Sequence, residues 1–139
     1  VDPETIDLHF ALGSLFRRRG EYDRAIRMHQ NLLDRADLAG EQKLQAQMEL
    51  GQDYLKAGIL DRAEEVFSRL EKTNLAMVAR RALLEIYEQE KEWHKAIDIA
   101  RALPELSRQP LLLLMLAIYD AQDNALAGEV GAGEAFPTV

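Results

Sequence analysis

The apolar residues of this chain recur every three or four positions over most of its length, which is the period of one face of an α-helix. Glycines and polar clusters interrupt the pattern at Gly20, at residues 37–40, at Gly58 and at residues 90–92. Helices that are apolar on one face only must pack against one another to bury it. The pattern therefore predicts an all-α chain of about seven helices, arranged as antiparallel hairpins.

One motif marks each predicted hairpin. It consists of a leucine, a second residue that is glycine in two copies, an aromatic residue three positions later, and an alanine nine residues after the aromatic. The copies are Leu12-Gly13-x-x-Phe16 with Ala25, Leu50-Gly51-x-x-Tyr54 with Ala63, and Leu83-Leu84-x-x-Tyr87 with Ala96. The aromatic residues lie 38 and 33 residues apart, which suits one hairpin and its loop. We predict three repeats, at about residues 4–37, 41–72 and 74–103.

This motif resembles the tetratricopeptide repeat, a helix hairpin of a family that binds other proteins. The first two copies match closely, whereas the third has Leu84 in place of glycine and Glu90-Lys91-Glu92 in place of a glycine turn. The resemblance implies an α-solenoid, that is, a right-handed superhelical stack of antiparallel helix hairpins. Three such hairpins approach the minimum number for independent stability.

In a solenoid of this kind the first helix of each hairpin lines a concave groove. The family's groove positions predict a surface that is basic in its first half and acidic at its far end, with an extended peptide or a partner helix as its ligand. An ordinary solvated helix face is the alternative interpretation. The predicted partner-binding residues are Phe10, Arg17, Arg18, Met48, Gln52, Lys56, Arg81, Glu85 and Glu88.

The last part of the chain has a different character. Residues 111–119 are almost entirely apolar, but this run is about half of the ~20 residues that a membrane-spanning helix needs, so we predict no membrane insertion. We predict an additional apolar helix at residues 104–127 and a flexible glycine-rich tail at residues 128–139. One neighbouring hairpin can cover only one side of such a helix. We expect a homo-oligomer held by Leu111, Leu113, Leu114, Leu116 and Tyr119.

Charge and rare residue types argue against several kinds of function. The net charge of -7 opposes nucleic-acid binding, which needs a clustered basic surface. The chain has no cysteine, and His9, His29 and His94 lack partners at metal-ligand spacing, so core packing is the favoured role for His29. Paired carboxylates stand among basic residues and are interpreted as solvated faces. We predict no catalytic residue, no metal, no cofactor and no enzymatic activity.

Longer strings are similar to the lipopolysaccharide assembly protein B family, over about residues 4–102. They are residues 12–30, Leu50-Gly51-Gln52-Asp53-Tyr54, residues 57–64, and Glu92-Trp93-His94-Lys95-Ala96-Ile97-Asp98. The resemblance implies the cytoplasmic repeat part of a bacterial inner-membrane adaptor. This adaptor restrains lipopolysaccharide synthesis by bringing the committed-step deacetylase to a membrane protease.

The same resemblance implies an N-terminal anchor and a four-cysteine metal knuckle in the parent protein, neither of which is in this chain. Because the chain begins at Val1 without a methionine, we expect it to be a piece of a longer protein. We also expect the resemblance to end at Leu103. Two alternatives stay open: a generic peptide-binding scaffold of an assembly or chaperone complex, and the repeat arm of a protein described as an N-acetylglucosaminyl transferase.

Overall fold

A computed structural model of the chain describes residues 3–111 and 113–122. Within these ranges every regular element is helical, which confirms the predicted all-α fold. The helices are α1 (Pro3–Arg18), α2 (Tyr22–Leu33), α3 (Gly40–Ala57), α4 (Leu60–Leu70), α5 (Ala76–Gln89), α6 (Trp93–Arg101), α7 (Pro104–Ser107) and α8 (residues 110–111 and 113–122).

The three hairpin turns share one geometry. Within two residues of its end, each first helix is followed by a residue with left-handed backbone conformation, namely Gly20 (φ 79°), Gly58 (φ 78°) and Lys91 (φ 58°). The amide of the following residue then donates to a carbonyl five residues earlier, from Glu21 to Phe16 at 2.8 Å, from Ile59 to Tyr54 at 2.9 Å and from Glu92 to Tyr87 at 2.9 Å. This is the Schellman arrangement, which favours glycine. The third turn therefore keeps the geometry although it lacks the glycine.

Consecutive helices pack against each other from α1 to α6. In addition α1 contacts α3, and α3 contacts α5, whereas α2, α4 and α6, all of them fully described, make no comparable contacts with one another. The first helices of the hairpins are thus closer together than the second helices. The stack bends towards α1, α3 and α5, and their exposed sides form its concave face.

Close helix crossings explain the repeated glycines. A Cβ atom on Gly51 would lie 2.8 Å from Cζ of Phe67, and a Cβ atom on Gly13 would collide with the ring of His29. Both rings are completely buried on the second helix of the same hairpin. In the third hairpin the sizes are exchanged, because Leu84 occupies the glycine position and Ala100 the ring position.

The C-terminal part differs from the prediction of one helix at residues 104–127. The short helix α7 ends at Ser107, and α8 starts at Pro110 after a turn at Arg108. A proline at the first helical position needs no amide partner, so it starts a helix but interrupts one that precedes it. The predicted helical residues 123–127 and the predicted tail at 128–139 lie outside the described ranges.

Candidate partner-binding surfaces

The structure removes Phe10 from the predicted groove. Its side chain is only 8% exposed and packs in a core cluster with Ile6, Leu32, Leu38 and Ala46. The assignment of Phe10 as an exposed anchor is therefore wrong. The Phe10 side chain instead contributes to the hydrophobic contact between the first hairpin and α3.

Arg17 takes part in a polar network that joins the first two repeats. Its guanidinium donates to Oδ1 of Asp53 at 2.9 Å and forms an ion pair with Glu49 at 2.7 Å. Burial lowers the pKa of Arg17, but the hydrogen bonds and charges of Glu49 and Asp53 outweigh this effect and raise it overall. The Arg17 side chain is 18% exposed. It stabilises the stack and is largely occupied there, so it contributes little free charge to the groove.

His29 completes this network from α2. Its Nδ1 is hydrogen-bonded to Oδ2 of Asp53, and both side chains are fully buried. Nε2 of His29 has no hydrogen-bond partner in the described part of the chain and faces the backbone of Gly13. The tautomer that carries its proton on Nδ1 leaves no buried donor unpaired, so we assign this form. His29 is thus a core residue, as the sequence predicted, but one with a specific polar partner.

Five predicted residues remain on the concave face and take no part in the core or in this polar network. Arg18, Lys56 and Glu85 are exposed and have no ion-pair partner among the described residues. Met48 and Gln52 are half-buried. A shallow groove of about 440 Å³ adjoins Met48, with walls from α3 and the start of the third hairpin: Glu41, Leu44, Gln45, Asn74 and Leu75. This surface offers an apolar contact, with charges of both signs further along the face.

Arg81 and Glu88 do not belong to this surface, because Arg81 contacts α7 and Glu88 lines a different cavity. Nε of Arg81 donates to Glu105 of α7 at 2.6 Å, and this hydrogen bond lowers the pKa of the Glu105 carboxyl group. Both side chains are about half exposed, so the pair ties α7 to α5 only weakly. Glu88 lines a separate cavity at the C-terminal end of the stack. The nine predicted groove residues therefore do not form one surface.

The C-terminal cavity has a volume of about 280 Å³, is open to solvent and lies between α5, α6, α7 and α8, with a lining that includes Leu84, Glu88, Trp93, Ala100, Met115 and Tyr119. Two contacts hold α8 in place there. Arg101 donates to both carboxylate oxygens of Asp120, at 2.8 and 3.0 Å, and the rings of His94 and Tyr119 meet edge to face at 5.1 Å.

The residues predicted to mediate self-association divide between the two sides of α8. Leu111, Leu113 and Leu114 are at least half exposed. Leu116 is 9% exposed and Tyr119 is half-buried against His94, so these two help to seat α8 and are poorly placed to contact a second copy. No described helix is long and apolar enough to cross a membrane. No group of three or more potential metal ligands occurs in the described ranges.

Two family models for the tetratricopeptide repeat match this chain, at residues 8–56 and 48–110. The chain belongs to the tetratricopeptide-repeat family. The tetratricopeptide repeats account for the glycine at each close crossing in the first two hairpins and for the concave face built from first helices.

Among curated proteins, this tetratricopeptide-repeat chain is similar to lipopolysaccharide assembly protein B. It is 48% identical over 108 residues to the protein from Escherichia coli strain K12, covering 77% of this chain and 28% of that protein. It is 41% identical over 124 residues to the protein from Haemophilus influenzae, covering 88% of this chain and 31% of that protein. The chain thus spans less than a third of the relatives that it matches. A match over 88% of the chain continues past Leu103, so the expectation that similarity ends there is wrong.

Proposed function

We propose that this chain is a non-enzymatic protein-interaction module of an adaptor in bacterial lipopolysaccharide assembly, and that it holds a protein partner against its concave face. The observation that carries this proposal is the layer formed by α1, α3 and α5. Its exposed charges Arg18, Lys56 and Glu85 have no ion-pair partner in the described chain, and the groove beside Met48 lies further along the same layer of helices. Unpaired charges and an apolar contact on one face suit recognition of a peptide or helix.

The setting in lipopolysaccharide assembly is supported by the identity of 48% and 41% to the two bacterial relatives named above. The family resemblance further implies a parent protein that is anchored in the inner membrane, with its repeats on the cytoplasmic side. In that arrangement the repeats regulate lipopolysaccharide synthesis by holding a synthetic enzyme close to a membrane protease. These features of the parent belong to the proposal, because the chain covers less than a third of either relative.

Charge reversal in the full-length parent tests the concave face. The groove variant carries Arg18→Glu and Lys56→Glu, and the matched control carries Arg62→Glu and Arg69→Glu on α4, a second helix. Both variants change the net charge equally and alter exposed side chains only. Each variant is expressed in the bacterium from which the parent comes, crosslinked to its partners in the cells and then purified. The captured partners are quantified by mass spectrometry.

We expect the groove variant to capture a lipopolysaccharide-synthesis enzyme about tenfold less than the parent, because like charges now face each other in the contact. The α4 control should capture as much as the parent. Equal capture by the groove variant and the parent would contradict the concave-face proposal. Circular dichroism of both variants checks that the helices are retained.

A further inference from the structure

The repeat continues beyond the third hairpin. Leu50 and Leu83 are 33 residues apart, and Leu116 follows after another 33. All three are buried, and Leu116 is the one buried side chain among the described residues of α8. Helix α8 therefore occupies the position of a fourth first helix. It contacts α6 through Arg101–Asp120 and His94–Tyr119, as α3 packs on α2 and α5 on α4.

This register makes the three junctions between repeats comparable, residue by residue. At each junction a side chain of the second helix faces one residue from the preceding first helix and one from the following first helix. These trios are His29, Arg17 and Asp53 at the first junction, Phe67, Leu55 and Ile86 at the second, and Ala100, Glu88 and Tyr119 at the third. The first trio is the polar network and the second belongs to one core cluster.

Only the third junction lacks a ring on the second helix. His29 and Phe67 are both 0% exposed and fill their junctions, whereas a cavity remains beside Ala100 although the larger Leu84 stands opposite it. The volume of this cavity is about 280 Å³. An apolar cavity of roughly 150 Å³ already holds benzene, so this one has room for a six-membered or indole ring.

The mouth of the cavity is negatively charged. Glu88 is exposed and has no ion-pair partner among the described residues, and Glu85 is exposed one turn earlier on the same helix. On the opposite side, the one basic residue that seats α8, Arg101, is already bound to Asp120. Trp93 lines the cavity and is 46% exposed, so its ring face is accessible to the cation of a bound ligand.

We infer that this cavity binds an aromatic side chain of the protein partner, and that Glu88 binds a lysine or arginine next to it. The aromatic ring lies beside Leu84 and Ala100, at the junction that corresponds to those of His29 and Phe67, and the basic residue pairs with the carboxylate of Glu88. The inference rests on the proposed function, since it gives the partner a second point of attachment. It adds a sequence requirement that the concave face alone does not impose.

The single tryptophan of the chain allows a direct test, because Trp93 lines the cavity. Its fluorescence is followed while the chain is titrated with the dipeptide acetyl-Phe-Arg-amide. We expect a saturable change, and binding about tenfold weaker for acetyl-Phe-Glu-amide and for acetyl-Ala-Arg-amide, since each lacks one of the two contacts. No saturable change, or equal binding of all three dipeptides, would overturn the inference. Binding of phenylethylamine as tight as that of acetyl-Phe-Arg-amide would reassign the site to free amines and would also overturn it.

Two variants locate the binding. Glu88→Gln removes only an exposed charge and should reduce the preference for arginine over glutamate in the dipeptide to about twofold. Leu84→Gly with Ala100→Phe recreates the Gly51 and Phe67 pair of the second hairpin and should abolish the fluorescence change. Unchanged dipeptide affinity in both variants would contradict the inference, and the Glu88→Gln result stands even if the cavity-filling variant misfolds. Because the dipeptides need no cellular partner, this result is independent of the capture experiment on Arg18 and Lys56.

Discussion

Replacement of Asp53 by alanine should strongly destabilise the junction between the first two repeats. Asp53 is fully buried and accepts hydrogen bonds from Arg17 and His29, so its loss leaves a largely buried guanidinium and a buried imidazole without their carboxylate. Removal of one member of a buried ion pair costs about 3–5 kcal/mol. Because Arg17 keeps its ion pair with Glu49, we expect the lower end of this range, about 3 kcal/mol.

The second junction supplies an apolar version of the same site. Its equivalent residues are Leu55, Phe67, Ala82 and Ile86, all of which belong to one core cluster. A combined variant can transplant them onto the first junction: Arg17→Leu, His29→Phe, Glu49→Ala and Asp53→Ile. A buried polar network that is replaced by well-packed apolar residues is often equally stable or more stable. We expect the combined variant to lie within about 1 kcal/mol of the parent or above it.

The free energy of unfolding is measured by urea titration, followed by circular dichroism of the helices. The expected order is the parent and the combined variant together, with Asp53→Ala about 3 kcal/mol below them. A loss of less than about 1 kcal/mol in Asp53→Ala would show that the network is not a significant part of the junction. A combined variant as unstable as Asp53→Ala would refute the equivalence of the two junctions, and with it the register used for the third.

Three further predictions concern the third hairpin and α8. Lys91→Gly should raise the free energy of unfolding by about 1 kcal/mol in urea titration, because residue 91 has φ 58°, which is unfavourable for any residue with a side chain. Burial and a hydrogen bond with Glu64 raise the pKa of Tyr87 to about 12, from an ordinary value of 10.0. In an absorbance titration Tyr87→Phe should therefore lack the tyrosine ionisation near pH 12. The parent should lose the stability that the protonated phenol contributes as the pH rises from 10 to 12. Self-association through α8 stays a prediction, which Leu113→Glu with Leu114→Glu tests by sedimentation, since both side chains are at least half exposed.

Each of these three predictions would be contradicted by a specific result. An unchanged or lower stability of Lys91→Gly would mean that the turn tolerates lysine without strain. A tyrosine ionisation near pH 12 that persists in Tyr87→Phe would place the raised pKa on another residue. A sedimentation coefficient that is independent of concentration for the parent, or identical for parent and variant, would exclude an interface between copies on this face.

The hairpin architecture was predictable because its determinants are local. The apolar period, Gly20 and Gly58 define the helices and their turns within short stretches of sequence, and the structure confirms them. Lys91 was not predictable as a left-handed residue, since lysine disfavours that conformation. It is the packing of α5 against α6 that holds the third turn in the same shape.

The polar network was missed because its members come from three helices. The sequence did contain one signal, an acid at Asp53 in the apolar stripe that contains Leu50. Its partners lie 36 residues away at Arg17 and 24 residues away at His29, and no local pattern connects them. For the same reason Phe10 was assigned to the groove, since repeat position alone does not reveal that the neighbouring loop residue Leu38 covers it.

Site-specific photocrosslinking tests the central claim, which is that the concave face binds a protein partner. A photoreactive phenylalanine analogue is placed at Gln52 or Glu85 on the concave face, or at Arg62 or Ser68 on α4, in the full-length parent expressed in its own bacterium. We predict a crosslink from Gln52 and Glu85 to a protein of lipopolysaccharide assembly, and none from the two α4 positions. Crosslinks of that protein to α4 alone, or equally to both faces, would contradict the proposed function.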